Sequence, residues 1–210
     1  FEPAEGSTPA ATVFVFAHGA GGHRDDAAMR ATAERLHRAG VATVRFNFLY
    51  REQKSARPDP MPVLESTIRA VVAHTRETLS PRRLLIGGRS MGGRACSMLA
   101  AQGFDCDGLV LLAYPLHPAG QVDKLRASHL SNIGCPTLCL NGTRDTLCER
   151  PRMDAIVATL PSTWTMHWLE GADHGFHVLK RSGRTDADIH DEAVGAITRW
   201  LENLPRATLP

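Results

Sequence analysis

Short runs of nearly unbroken apolar residues alternate along the chain with longer stretches in which apolar positions recur every three or four residues. Thr12 to Ala17 (TVFVFA), Val41 to Phe46, Arg83 to Gly87, Leu109 to Ala113, Thr137 to Leu140 and Trp164 to Leu169 are of the first kind. Their length and lack of alternation predict strands buried on both faces. The second kind predicts helices. Asp25 to Arg38 is one, stopped by Gly40. Leu64, Ile68, Val71, Val72, Thr75 and Leu79 share a face of the next. Met91 to Gln102 is a helix of small residues, and Arg152 to Leu160 is another. Ile189, Ala193, Ile197, Leu201 and Leu204 mark the last. Strand and helix take turns throughout. The fold class expected is therefore α/β: a doubly wound, mostly parallel sheet of about six strands with helices on both faces.

Sheets of this kind place their chemistry in loops beyond the carboxyl ends of the strands. Those loops begin at His18, Asn47, Gly88, Tyr114, Asn141 and Glu170. Composition narrows what they do. The 210 residues suit one domain, and 43% hydrophobic content supplies its core. Residues 1–11, rich in Pro, Gly, Ala and Ser, read as a flexible segment before a single domain over 12–210. A net charge of +2 gives no basic excess for nucleic acid. No apolar run nears the roughly 20 residues of a membrane helix. Neither nucleic acid nor a membrane is thus an expected partner. The five cysteines form no CxxC or zinc-ribbon spacing, and an odd number cannot pair fully within a chain. Reduced thiols and a cytoplasmic location follow as expectations. The first residues lack the basic start and apolar core of a signal peptide.

The most informative stretch is Gly87-Gly88-Arg89-Ser90-Met91-Gly92-Gly93, which joins a strand to a helix. It holds G-x-S-x-G as Gly88, Ser90 and Gly92. A serine on such a turn has its hydroxyl exposed above the sheet in strained geometry, as a nucleophile requires. A P-loop reading fails for want of GK[ST]. A dinucleotide fingerprint fits poorly, because the turn follows the third strand and no acid ends the next.

A nucleophilic serine needs a base and an orienting acid. Asp145 and His174 follow the fifth and sixth strands and so reach the same sheet edge. His177 is the rival base, Glu149 the weaker rival acid. Asp173, adjacent to His174, is placed to cap its own loop. The first strand ends in His18-Gly19-Ala20-Gly21-Gly22, a turn able to aim a backbone N–H at a developing oxyanion. Ala20 is the first choice, Gly21 the next, and the N–H of Met91 the second donor. His18 is read as support for this turn. Phe48, Tyr50, Tyr114, Leu116, Leu147 and Phe176 are candidates for an apolar substrate pocket. Arg51, Lys54 and Arg57 form a basic loop, read as solvated. The mechanism needs no metal and no cofactor, and His18 and His23 lack a third ligand.

HGAGG (18–22), VRFNF (44–48), GGRSMGGR (87–94), NGTRD (141–145) and GADHGF (171–176) resemble the α/β-hydrolase superfamily, especially its small, lidless, dienelactone-hydrolase-like branch. The resemblance implies a serine hydrolase cleaving a small soluble carboxylic ester or thioester through an acyl-enzyme on Ser90. GGRSMGGR also resembles small hydrolase-like proteins related to a subunit of a eukaryotic nuclear acetyltransferase complex. That likeness implies the alternative, a catalytically silent scaffold. Dienelactone hydrolases use cysteine where this chain has Ser90, which favours ester hydrolysis over diene-lactone turnover. The segment between Leu112 and Pro136 is too short for a lid domain.

Overall fold

The computed structural model describes residues 12–204, so the expectation for residues 1–11 lies outside it. Six strands form one sheet: β1 (Thr12–Ala17), β2 (Ala42–Phe46), β3 (Arg83–Arg89), β4 (Gly108–Leu112), β5 (Thr137–Gly142) and β6 (Trp164–Leu169). Their order is β2-β1-β3-β4-β5-β6 and every pairing is parallel. Helices are α1 (Ala27–Arg38), α2 (Leu49–Glu52), α3 (Met61–Leu79), α4 (Met91–Ala101), α5 (Arg150–Val157) and α6 (Asp186–Glu202). Both faces are covered. Leu64, Ile68 and Val72 of α3, Ala95 and Leu99 of α4 and Met153 of α5 fill one side. Met29 and Leu36 of α1 and Ile189, Ile197 and Trp200 of α6 fill the other. Alternate residues of one strand serve the two cores, as Phe14 and Val15 do.

Most departures from the sequence reading are at boundaries. α1 begins at Ala27 because the Asp26 carboxylate accepts from the N–H of His23 (2.7 Å) and holds the preceding turn. β3 and β5 run two residues further than expected, since Gly88 and Arg89 pair with Leu111 and Leu112, and Asn141 and Gly142 with Trp168 and Leu169. α5 starts earlier, at Arg150, with Pro151 in its first turn where a missing N–H costs nothing. α6 opens in a capping box: the Thr185 hydroxyl accepts from Asp188 N–H and the Asp188 carboxylate from Thr185 N–H.

The chain winds from β1 outward to β2, then crosses to β3 on the other side of β1. The crevice between the carboxyl ends of β1 and β3 is therefore a switch point, where such sheets form their sites. The segment from Ala113 to Pro136 holds one short 3-10 turn, Leu130–Asn132. No described helix is long and apolar enough to cross a membrane. All five cysteines are free thiols.

Candidate active site

Ser90 sits between β3 and α4 with φ 50° and ψ −116°. A non-glycine residue held there stores strain of about 1–3 kcal/mol, which the surroundings must over-determine. They do so through close backbone approach. A Cβ on Gly88 would lie 2.4 Å from the carbonyl oxygen of Ala17, and one on Gly92 2.5 Å from that of His18. The two glycines let α4 press against the end of β1, which leaves the Ser90 hydroxyl at the crevice. Ser90 N–H is tied to the carbonyl of Leu112 (2.8 Å).

The ends of β5 and β6 bring two more side chains to this point. His174 Nε2 lies 3.0 Å from Ser90 Oγ, and its Nδ1 lies 2.8 Å from Asp145 Oδ2. The Asp145 side chain is fully buried, whereas His174 is 29% exposed. A buried carboxylate needs partners. Asp145 has the Leu147 N–H on Oδ1 (2.8 Å) and the Asn141 amide on Oδ2 (3.2 Å) besides the imidazole. Asp145 can only accept, so the His174 proton is on Nδ1 and Nε2 presents its lone pair to the Ser90 hydroxyl. Serine, imidazole and carboxylate thus form one hydrogen-bonded line able to carry a proton away from an attacking oxygen.

The rivals are elsewhere. His177 is exposed and binds Asp186 (2.7 Å). Glu149 pairs with Arg152 (2.7 Å). Asp173 accepts from the N–H groups of Gly175 and His177, capping the loop that carries His174.

Two further side chains support the site. Asn141 is buried between strands. Its amide donates to the Tyr114 carbonyl as well as to Asp145, and its Oδ1 accepts from Tyr114 N–H. Its position on the last turn-ward residues of a strand is the signal available. Arg89 donates to the His174 carbonyl and lies over the Phe176 ring, 4.7 Å from guanidinium carbon to centroid. Burial pulls its pKa below the ordinary arginine value, and Asp145 and Asp173 oppose that shift.

His18 supports its turn from within the core. Nδ1 donates to the Gly19 carbonyl (2.7 Å) and Nε2 accepts from Phe48 N–H (3.2 Å). Burial depresses its pKa, which favours the neutral ring this pattern requires. No described residue accepts a hydrogen bond from the N–H of Ala20 or Met91. Both residues line the cavity at Ser90.

That cavity measures about 290 Å³ and is walled by Ala20, Ser90, Met91, Arg94, His117, Arg126 and Leu147, with Pro115, Pro118 and Ala119. Of the expected pocket residues only Leu147 is in the wall. Tyr50, Tyr114, Leu116 and Phe176 are at most 1% exposed and offer a ligand no surface. Tyr50 is turned inward to donate to the Ala20 carbonyl (2.7 Å), and Tyr114 to donate to the Arg126 carbonyl (2.6 Å). Leu116 packs in the core with Phe48, and Phe176 lies in the opposite core beneath Arg89. Loop position identified these four, but their apolar surface is spent on packing. Gly21 lies outside the wall and is exposed. Lys54 and Arg57 are exposed and outside it too.

A family model described as an alpha/beta hydrolase domain matches residues 10–202. Solved structures share the architecture. An alpha-beta serine hydrolase homologue from Coxiella burnetii superposes with a TM-score of 0.73 at 21% identity, over 93% of this chain and 88% of that one. A serine hydrolase without lid from Xanthomonas campestris gives 0.72 at 22%, over 100% and 89%. A dienelactone hydrolase from Anabaena variabilis gives 0.71 at 20%, over 97% and 90%.

Proposed function

The chain belongs to the α/β-hydrolase family, and from that premise we propose that it is a serine hydrolase cleaving a small carboxylic ester or thioester. The observation that carries this reading is the line Ser90–His174–Asp145, with contacts of 3.0 and 2.8 Å. Ser90 Oγ attacks the carbonyl carbon as its proton passes to His174 Nε2. Asp145, buried and already bonded to Nδ1, stabilises the imidazolium and fixes its tautomer. The N–H groups of Ala20 and Met91 receive the oxyanion, an interaction stronger in the tetrahedral state than with the ground-state carbonyl. His174 returns the proton to the departing alkoxide or thiolate. Water, deprotonated by the same nitrogen, then attacks the acyl-enzyme, and His174 returns that proton to Ser90 Oγ as the acyl bond breaks and the acid is released. An odd count of five cysteines without CxxC spacing favours a reducing, cytoplasmic setting for this chemistry.

Turnover of p-nitrophenyl acetate and butyrate by wild type and Ser90→Ala tests the reading, with fluorophosphonate labelling as a second readout. Ser90→Ala should lose at least about a thousandfold in kcat/KM and all labelling. Equal rates in the two proteins would remove Ser90 from the mechanism. Absence of both turnover and labelling in wild type would favour the scaffold alternative.

A further inference from the structure

We propose that the cavity beside Ser90 is an anion subsite, and that the substrate carries a carboxylate held by Arg94 and Arg126. This rests on the hydrolase reading and names the substrate class of the same site: half-esters or half-thioesters of short dicarboxylic acids.

The two guanidinium groups are in the cavity wall together with Ser90. Arg94 is one helical turn after Ser90 on α4, its N–H bonded to the Ser90 carbonyl (2.9 Å), so its side chain rises on the face that carries the nucleophile. Arg126 is fixed at both backbone groups. Its N–H donates to the Leu116 carbonyl (2.7 Å) and its own carbonyl accepts from Tyr114 (2.6 Å). The inward turn of Tyr114 therefore serves to set Arg126 at the rim.

Neither guanidinium has a carboxylate partner among the described residues. Asp123 and Glu149 both pair with Arg152, at 3.3 and 2.7 Å, and Asp145 is held by His174. Arg94 Nε is buried with no hydrogen-bond partner. A guanidinium in that state retains an unmet demand for an acceptor, and a carboxylate satisfies it with two parallel bonds. The two arginines also face each other's charge: Arg94 helps to lower the pKa of Arg126, after burial. Arg94 likewise adds to the burial that takes neighbouring His129 down to about 4, so that ring adds no third charge. One bound anion relieves this repulsion.

The rest of the wall suits a short, polar-ended chain. His117 is fully buried in it. Its Nδ1 donates to the Pro118 carbonyl (3.0 Å), so the ring braces the wall from behind and, like Tyr50 and Tyr114, offers a ligand no surface. Leu147, Met91 and the prolines supply the apolar sides. About 290 Å³ is at the small end for ligand pockets and limits the chain to a few carbons.

The test uses methyl hydrogen glutarate and its neutral isostere dimethyl glutarate. Binding is measured by calorimetry on full-length Ser90→Ala, and kcat/KM on wild type. The charged half-ester should bind at least about tenfold more tightly, a ratio worth ~1.4 kcal/mol, and the same preference should appear in kcat/KM. Arg94→Met and Arg126→Met should each bring the ratio toward one, and Arg94→Lys should keep part of it. Raising salt should shrink the ratio as well. Equal binding of the two esters to Ser90→Ala overturns the proposal without recourse to any arginine variant. So does a ratio that survives both Met variants. Inorganic phosphate competing more strongly than glutarate would overturn the carboxylate assignment in favour of a phosphate. Turnover of neutral p-nitrophenyl butyrate separates the two readings. Turnover with no preference for charge defeats only the anion subsite; selective binding with no turnover of any ester defeats only the hydrolase.

Discussion

His174 and His177 are three residues apart and chemically identical, yet their surroundings divide them. His174 has a buried carboxylate on one nitrogen and a serine hydroxyl on the other; His177 has an exposed aspartate and solvent. His174→Ala should therefore lose at least about a hundredfold in kcat/KM, whereas His177→Ala should stay within about threefold. The reverse ranking on p-nitrophenyl butyrate would make His177 the base. Arg89 acts one step removed, as a positioning residue. It grips the His174 backbone and stacks on Phe176, which itself takes φ 64°. Arg89→Met should lower kcat by about ten- to a hundredfold with KM little changed, because misplacing the imidazole costs the reaction step rather than binding. Arg89→Lys should recover part of kcat. A pure rise in KM would place Arg89 in substrate binding instead.

At the scale of elements, the β3–α4 turn depends on the absence of side chains. A Cβ on Gly92 would stand 2.5 Å from the His18 carbonyl oxygen and 2.8 Å from the Ala17 Cβ. Gly92→Ala should cost about 1–3 kcal/mol, read as a lower urea midpoint at unchanged slope. Gly134→Ala, with nothing within 4 Å of the added carbon, should leave the midpoint nearly in place. An equal loss in both would mean that glycine flexibility rather than close approach sets the effect. This turn was legible in the sequence because its chemistry is local: strand, glycines, serine and helix are contiguous. Asp145 and His174 were legible because a parallel sheet sends every strand end to one edge. The cavity wall was not legible. Tyr50 in α2 and Tyr114 in the loop after β4 lie beside the site, but which way each aromatic turns depends on carbonyls from other segments, Ala20 and Arg126. The arginines that do line the cavity, Arg94 and Arg126, look like ordinary surface charges in the sequence, since an unpaired guanidinium is defined by what fails to reach it.

Across the whole molecule, three histidines are held neutral by the fold. Burial is the leading cause at His18, His129 and His190, and their pKa values fall below the ordinary one, to about 4 for His129. In the unfolded chain each takes a proton near 6.5. Between the folded and unfolded values the unfolded state binds more protons, so stability must rise with pH there and drain away as pH falls from about 6.5 toward 4. Asp186, Asp188 and Glu192 have depressed pKa values: His177 leads the lowering at Asp186 and the Thr185 backbone at Asp188, while Arg184 leads it at Glu192 against the opposing effect of burial. Their contribution is present above the unfolded carboxylate range and is lost only as pH falls through the folded values. The two sets act in the same direction but in successive windows, histidines first. Urea midpoints at pH 7, 6 and 5 should therefore decline steadily, before the contributions of Asp186, Asp188 and Glu192 are lost at lower pH. His129→Gln removes one titrating ring and keeps an amide able to bond the Ser97 hydroxyl, which lies 2.8 Å from His129 Nε2 and itself donates to the Arg94 carbonyl. The variant should show a shallower decline between pH 7 and 5 than wild type. Parallel curves for the two proteins would exclude His129 from the linkage, and a wild-type midpoint that does not move over this range would exclude all three histidines.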